Sequence, residues 1–159
     1  IISIDIGANY KGYHGDCART WPCGNVKSDR LKLIEVTEQS FFEGLKYAHP
    51  GNRLSDISHA IEMYAKKFNY GVVRDFTGHG VGSKLHEDPA VPNYGKEGMG
   101  PVLRKGMTLA IEPMINMGSH EIFVDDTDGW TIYTEDGLPS AQWEIMVLVT
   151  ERGCEVICY

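Results

Sequence analysis

The sequence predicts an α+β fold with a mostly antiparallel sheet. An alternating, strand-like run opens the chain, and two helical segments follow it. Everything beyond the helices consists of short strand-like segments with glycines and prolines between them. Strands and helices that are grouped in this way along a chain are typical of the α+β class.

Residues 1–24 predict a β-hairpin. Ile2, Ile4 and Ile6 alternate with small or polar residues, which is the two-residue period of a strand. Lys11 and Gly12 supply a turn, and a second strand is expected from about residue 13 to residue 21.

Two helices and a series of strands follow the hairpin. Ser28 and Asp29 are expected to cap the first helix, which ends before Pro50. Ser55 is expected to cap the second helix, which ends near Asn69. Further strands are predicted at residues 108–115, 121–124, 130–133, 141–149 and 155–159.

Composition limits the classes of function. The 159 residues suffice for one domain with a hydrophobic core, and no apolar run is long enough to predict a membrane span. The net charge of −7 argues against a nucleic-acid-binding surface. No two of the four cysteines form a C-x-x-C pair, so we expect free thiols in a reducing cytosol.

Several acidic residues occupy strand-like, apolar surroundings. A carboxylate there is costly to bury unless it is paired or bound to a metal, and neighbouring carboxylates would share a cation. Any one of them alone is more often on a solvated face. Asp5 and Asp16 are expected to face each other across the hairpin, about 5 Å apart at Cβ. The candidate metal ligands are Asp5, Asp16, His79, Glu112 and Glu144.

Residues 76–89 form a glycine-rich segment with two histidines. Gly78, Gly80 and Gly82 surround His79 and permit close backbone approach, and His86 follows seven residues later. A glycine-flanked histidine can be a simple turn residue, but two histidines in one glycine-rich loop, together with acids elsewhere, favour a site. The segment is not a phosphate-binding loop, because it has neither the G-K-[ST] motif nor the strand–G-x-G-x-x-G–helix context.

Six motifs together resemble those of type I methionine aminopeptidases, and the resemblance covers essentially the whole chain. They are Ser3-Ile4-Asp5, His14-Gly15-Asp16, residues 76–94 around His79 and His86, Gly106 to Met114 around Glu112, Asp128-Gly129-Trp130-Thr131, and Ser140-Ala141-Gln142-Trp143-Glu144.

This resemblance implies a pita-bread fold, in which a curved, mostly antiparallel sheet carries helices on its outer face. It also implies two divalent metal ions, with Mn, Fe, Co or Zn as candidates. Asp5 would bind one ion, His79 and Glu112 would bind the other, and Asp16 and Glu144 would bridge both.

The activity implied is removal of N-terminal methionine from nascent proteins by a water molecule that the two metals activate. Glu112 would accept the proton of that water, and His86 would donate to the substrate carbonyl or stabilise the oxyanion. Leu85 and Trp130 would line the methionine pocket. Leu85 stands where the family often has an aromatic residue, and Ile145 where many relatives have histidine.

The resemblance further implies a portion before Ile1. We expect residues 1–159 to be the catalytic, metal-binding portion of a single pita-bread domain. Residues 1–24 would be a hairpin from its first half and residues 28–159 its second half. The chain alone is therefore expected to lack full activity. The expected partners are nascent polypeptides at the ribosome, for a cytoplasmic monomer.

Two other functions compete. An Xaa-Pro aminopeptidase or prolidase of the same fold would share the five ligands, although Asp128-Gly129-Trp130 and Ser140-Ala141-Gln142 look more like a methionine aminopeptidase. A non-catalytic pita-bread module would bind peptides or histones, but such proteins have typically lost metal ligands. Fold alone would not decide between them.

Overall fold

A computed structural model describes residues 1–158. It has two helices and eleven strands, which confirms the α+β prediction. In chain order the elements are β1 (Ile2–Tyr10), β2 (Tyr13–Trp21), α1 (Ser28–Leu45), α2 (Leu54–Lys66), β3 (Gly71–Val72), β4 (Gly78–Gly80), β5 (Glu87–Val91), β6 (Thr108–Ile111), β7 (Met114–Asn116), β8 (Ile122–Val124), β9 (Ile132–Thr134), β10 (Ser140–Val149) and β11 (Cys154–Cys158).

Nine of the strands form one sheet, and its strand pairs are antiparallel. The main path runs β1-β2-β10-β6-β4-β5, while β11 and β7 also pair with β10. The long strand β10 is therefore the centre of the sheet, and it brings the hairpin beside strands that lie far away in sequence. Strands β8 and β9 form a separate two-stranded ribbon.

The hairpin forms as predicted, but its register corrects one expectation. Lys11 and Gly12 both have positive φ, 53° and 87°, which suits a two-residue hairpin turn. Because Tyr10 pairs with Tyr13, Asp5 lies opposite Ala18 and Asp16 lies opposite Gly7. The expectation that the two aspartates face each other directly is therefore wrong. They are diagonal neighbours on one face of the hairpin.

Both predicted helix caps are wrong. Lys27 occupies the N-cap position of α1 without a side-chain cap, so Ser28 is already helical. In α2 the Asp56 carboxylate accepts a hydrogen bond from the backbone N–H of Arg53 at 2.8 Å. The Ser55 hydroxyl instead donates to the Met99 carbonyl at 2.8 Å, which ties α2 to a distant loop.

The later strands differ from prediction in their bounds. The segment predicted at 108–115 divides into β6 and β7 at Glu112-Pro113, where proline offers no backbone N–H. The short strands β3, β4 and β5 had not been predicted. Of the strand predicted at 155–159, residue 159 lies outside the described residues.

The helices cover one face of the sheet. Phe41 of α1 and Ile57 of α2 belong to the main hydrophobic core, together with Ile111, Ile145 and Val147 of the sheet. Side chains alternate along a strand, so Glu144 on β10 points to the face opposite Ile145. The metal-ligand candidates thus occupy the face that the helices leave open.

Gly78 is expected to be essential to the fold. A Cβ at this position would overlap the backbone carbonyl of Ala110, and a backbone atom cannot move aside as a side chain can. We expect Gly78→Ala to lower the free energy of unfolding by about 3 kcal/mol, as overpacking of a core does. Chemical denaturation would measure it, with Gly153→Ala as control because nothing lies within 4 Å of that added Cβ. Equal stability of the two variants would contradict the expectation.

Candidate metal centre

The five candidate ligands lie on five consecutive strands of the sheet or directly beside them. Asp5 is on β1, Asp16 on β2, Glu144 on β10 and His79 on β4, while Glu112 directly follows β6. The strand order β1-β2-β10-β6-β4 therefore lines up one ligand per strand. Residues separated by more than one hundred positions in sequence converge because β10 lies between β2 and β6.

The register leaves room for the acids on the open face. Asp5 lies opposite Ala18, and Ala18 lies opposite Glu144, so these three residues form one row across β1, β2 and β10. The small Ala18 separates the two carboxylate positions. Gly7, opposite Asp16, likewise has no side chain to occupy the space.

The ligand atoms form three overlapping groups, and within each group they all lie within 4.8 Å of one another. The groups are Asp5, Asp16 and Glu144; His79, Glu112 and Glu144; and Asp16, His79 and His86. Overlap between groups is what a centre with more than one cation needs. A cavity of about 160 Å³ is lined by Asp5, Gly7, Asp16, His79, Leu85, His86, Glu112 and Glu144.

His79 has one ring nitrogen oriented toward the acids. Its Nδ1 lies 3.0 Å from the carbonyl oxygen of Gly80, which can only accept, so Nδ1 carries the proton in the neutral ring. The free Nε2 then lies 3.5 Å from Asp16 Oδ2 and 3.6 Å from Glu112 Oε1. A backbone carbonyl that fixes the tautomer in this way is common for histidines that bind metals.

The acids strongly perturb one another. Burial, and then repulsion from Asp5 and Asp16, raises the pKa of Glu112 to about 8. Burial, and then repulsion from Glu112, Asp16 and Asp5, raises the pKa of Glu144 to about 9. Burial and Asp5 also raise the pKa of Asp16. A shared cation would remove this repulsion, so the donor set of carboxylates and an imidazole fits divalent metals.

Two residues predicted near the substrate lie at the centre, and one does not. The His86 ring lies 4.1 Å from the His79 ring, centroid to centroid, and Leu85 lines the same cavity. Trp130 is 84% exposed, beside the β8–β9 ribbon, and is not among the described residues that line this cavity. Its contribution to a methionine pocket remains a proposal.

Two further polar residues hold Glu112, and the sequence had not indicated their function. The Gln142 side-chain amide donates to Glu112 Oε2 at 3.4 Å, and the Asn93 amide donates to the Glu112 carbonyl at 3.0 Å. Gln142 could have been found from its position two residues before Glu144, on the same face of a strand. Nothing local in the sequence indicates the Asn93 contact.

Comparison with known proteins identifies the family. The model of metallopeptidase family M24 matches residues 1–151. The chain belongs to this family. It is similar to methionine aminopeptidase 1 of Bacillus subtilis, with 52% identity over 99% of this chain, and to a methionine aminopeptidase of Clostridium acetobutylicum, with 50% identity over 99%. The chain spans about 63% and 62% of the length of these relatives.

Solved structures of the family confirm the pita-bread fold. The methionine aminopeptidase of Rickettsia prowazekii matches with a TM-score of 0.94 and 42% identity, covering 97% of this chain and 62% of that one. The prolidase of Pyrococcus furiosus matches with 0.74 and 26%, covering 97% and 40%. Both measures therefore favour the methionine aminopeptidases.

Two further observations concern the cysteines and the helices. Cys17, Cys23, Cys154 and Cys158 are free, as expected. Neither helix within residues 1–158 is long and apolar enough to cross a membrane.

Proposed function

We propose that this chain carries the metal centre of a methionine aminopeptidase, which removes N-terminal methionine from polypeptides. The observation that carries the proposal is the convergence of four carboxylates and one imidazole from five adjacent strands. The 52% identity to a methionine aminopeptidase supports the choice of substrate. A purely structural explanation would have to account for buried carboxylates that raise one another's pKa.

The ligand set divides naturally between two divalent ions. Asp5, Asp16 and Glu144 would hold one ion, and His79 and Glu112 would hold the other together with the shared Asp16 and Glu144. Mn, Fe, Co and Zn all suit such donors. Ions of this kind lower the pKa of water and polarise carbonyl oxygens when they are bound.

The side chains around the ions would handle the proton and the substrate. Glu112, whose Oε1 lies 3.6 Å from Nε2 of His79 within the ligand cluster, would accept a proton from water and release it to the leaving amine. His86 is exposed beside His79 and can donate a hydrogen bond to the oxygen of the scissile carbonyl. Leu85 and Trp130 supply apolar surface for the methionine side chain.

Release of free methionine tests this function. We expect the full-length protein, with Mn²⁺ or Co²⁺, to release methionine from Met-Ala-Ser and to leave Ala-Pro-Ser intact, and chelation to abolish the release. Residues 1–159 alone are expected to be less active. Cleavage of Ala-Pro-Ser instead would identify an Xaa-Pro aminopeptidase or prolidase. Failure to bind either metal would identify a non-catalytic peptide-binding module.

The remaining assignments belong to the same proposal. Nascent polypeptides at the ribosome are the proposed partners of a cytoplasmic monomer that does not bind nucleic acid. Residues 1–24 are proposed to belong to the first half of the pita-bread domain and residues 28–159 to its second half.

A further inference from the structure

Glu112 has two carboxylate oxygens in different surroundings. Oε1 lies 3.6 Å from Nε2 of His79, on the side of the metal-ligand groups. Oε2 lies 3.4 Å from the side-chain nitrogen of Gln142, which can donate a hydrogen bond and carries no charge. The two contacts together define a preferred rotation of the carboxylate.

Gln142 is itself anchored by Thr20 of the neighbouring strand. The backbone N–H of Gln142 donates to Thr20 Oγ1 at 2.8 Å, and Thr20 Oγ1 donates to the Gln142 carbonyl at 3.0 Å. The proton of Thr20 is thereby used, so the Ser3 hydroxyl is the donor in its 2.7 Å contact with Thr20. A continuous hydrogen-bonded path runs from Ser3 through Thr20 and Gln142 to Glu112.

The hydrogen-bonded path runs through a buried part of the sheet. Thr20 is buried, with 3% of its surface exposed, in the seam between β2 and β10. On the other side, Asn93 holds the backbone carbonyl of Glu112. The backbone of Glu112 and one of its side-chain oxygens are therefore both fixed, and Oε1 remains directed toward His79.

We propose that Gln142, anchored by Thr20, is a positioning residue that orients the Glu112 carboxylate so that Oε1 binds a divalent cation. This inference rests on the metal centre of the proposed function. Gln142 binds neither cation nor substrate itself. It acts through Glu112, because a carboxylate held in its binding orientation loses less rotational freedom when the cation arrives.

A matched pair of glutamine variants tests the proposal. Gln142→Met keeps the length of the side chain and removes its donor. Gln39→Met does the same at a glutamine that donates to Glu43 on helix α1 at 3.3 Å, away from the centre. In the full-length protein, titration with Co²⁺ followed by visible absorption is expected to show about tenfold weaker binding for Gln142→Met and unchanged binding for Gln39→Met.

Kinetics separate positioning from a general effect on the fold. For Met-Ala-Ser, Gln142→Met is expected to lower kcat about tenfold and to change KM less than about twofold, with the thermal midpoint of the metal-free protein unchanged. Thr20→Val should weaken Co²⁺ binding in the same direction. Thr20→Ser retains the hydroxyl and should bind Co²⁺ about as tightly as the unchanged protein.

Two results would overturn the proposal. One is Co²⁺ affinity in Gln142→Met equal to that of the unchanged protein. The other is a loss of affinity that Gln39→Met or Thr20→Ser shows equally. If the unchanged protein releases no methionine, the proposed peptidase function fails. The comparison of Co²⁺ affinities still decides whether Gln142 positions Glu112.

Discussion

Replacing Glu144 with glutamine should reduce methionine release at least about 100-fold, because loss of a group that merely supports a metal ligand already costs 10–100-fold. Glu144 belongs both to the group with Asp5 and Asp16 and to the group with His79 and Glu112. Its loss would therefore weaken both cation positions. Methionine release from Met-Ala-Ser and Co²⁺ titration of the full-length variant would measure the two effects.

The same substitution should stabilise the metal-free protein. Glu144 is 2% exposed, and burial with three acidic neighbours raises its pKa to about 9, so at pH 8 folding must take up a proton at this residue, which costs free energy. A neutral amide avoids that penalty, and we expect a gain of roughly 1–3 kcal/mol in the free energy of unfolding at pH 8. Glu155→Gln, at an exposed position on β11, is the control. Loss of stability together with loss of activity would contradict the role of Glu144 as a buried ligand.

Metal binding should release protons and strengthen as the pH rises from about 5 to 9. In the metal-free fold the pKa of Glu112 is about 8 and that of Glu144 about 9, whereas both are near 4.5 when unfolded. At pH 7 these groups hold protons that a divalent cation must displace. Isothermal titration at pH 7 in two buffers of different ionisation enthalpy should show release of about one to two protons. No release would contradict the raised pKa values.

The pH dependence of the stability of the metal-free protein follows from the same pKa values. Between about pH 4.5 and 8 the folded state binds more protons than the unfolded state, so the free energy of unfolding falls as pH rises. The stabilising contribution is complete below the unfolded pKa and is lost as pH rises through the folded pKa. Asp16, whose pKa is also raised, contributes with the same sign. Bound cations should reverse this trend.

The sequence indicated the candidate ligands better than it indicated their arrangement. Acidic residues within apolar strands are costly to bury, which made Asp5, Glu112 and Glu144 candidates, although each one alone is more often on a solvated face. Their convergence depends on β10 pairing with both β2 and β6, which is a long-range choice that no local pattern encodes. The diagonal placement of Asp5 and Asp16 follows from the pairing of the residues that flank a two-residue turn.

Other differences also have physical causes. The sequence predicts that Ser55 caps α2, but its hydroxyl donates to the distant Met99 carbonyl instead. The Asp56 carboxylate accepts the hydrogen bond from the Arg53 N–H at the start of the helix. The strands around His79 are only two to five residues long, too short for alternation to be recognised. The exposure of Trp130 depends on how the β8–β9 ribbon leaves the main sheet, which sequence periodicity does not specify.

Binding of a cation at the metal centre should affect the stability of strand β1. All nine residues of this strand are exposed, and within residues 1–158 the strand pairs with β2 alone. Asp5 of this strand belongs to the same ligand group as Asp16 of β2 and Glu144 of β10. A cation held by Asp5 would tether the strand to β2 and β10. Amide protection in β1 should therefore rise when a cation fills the centre.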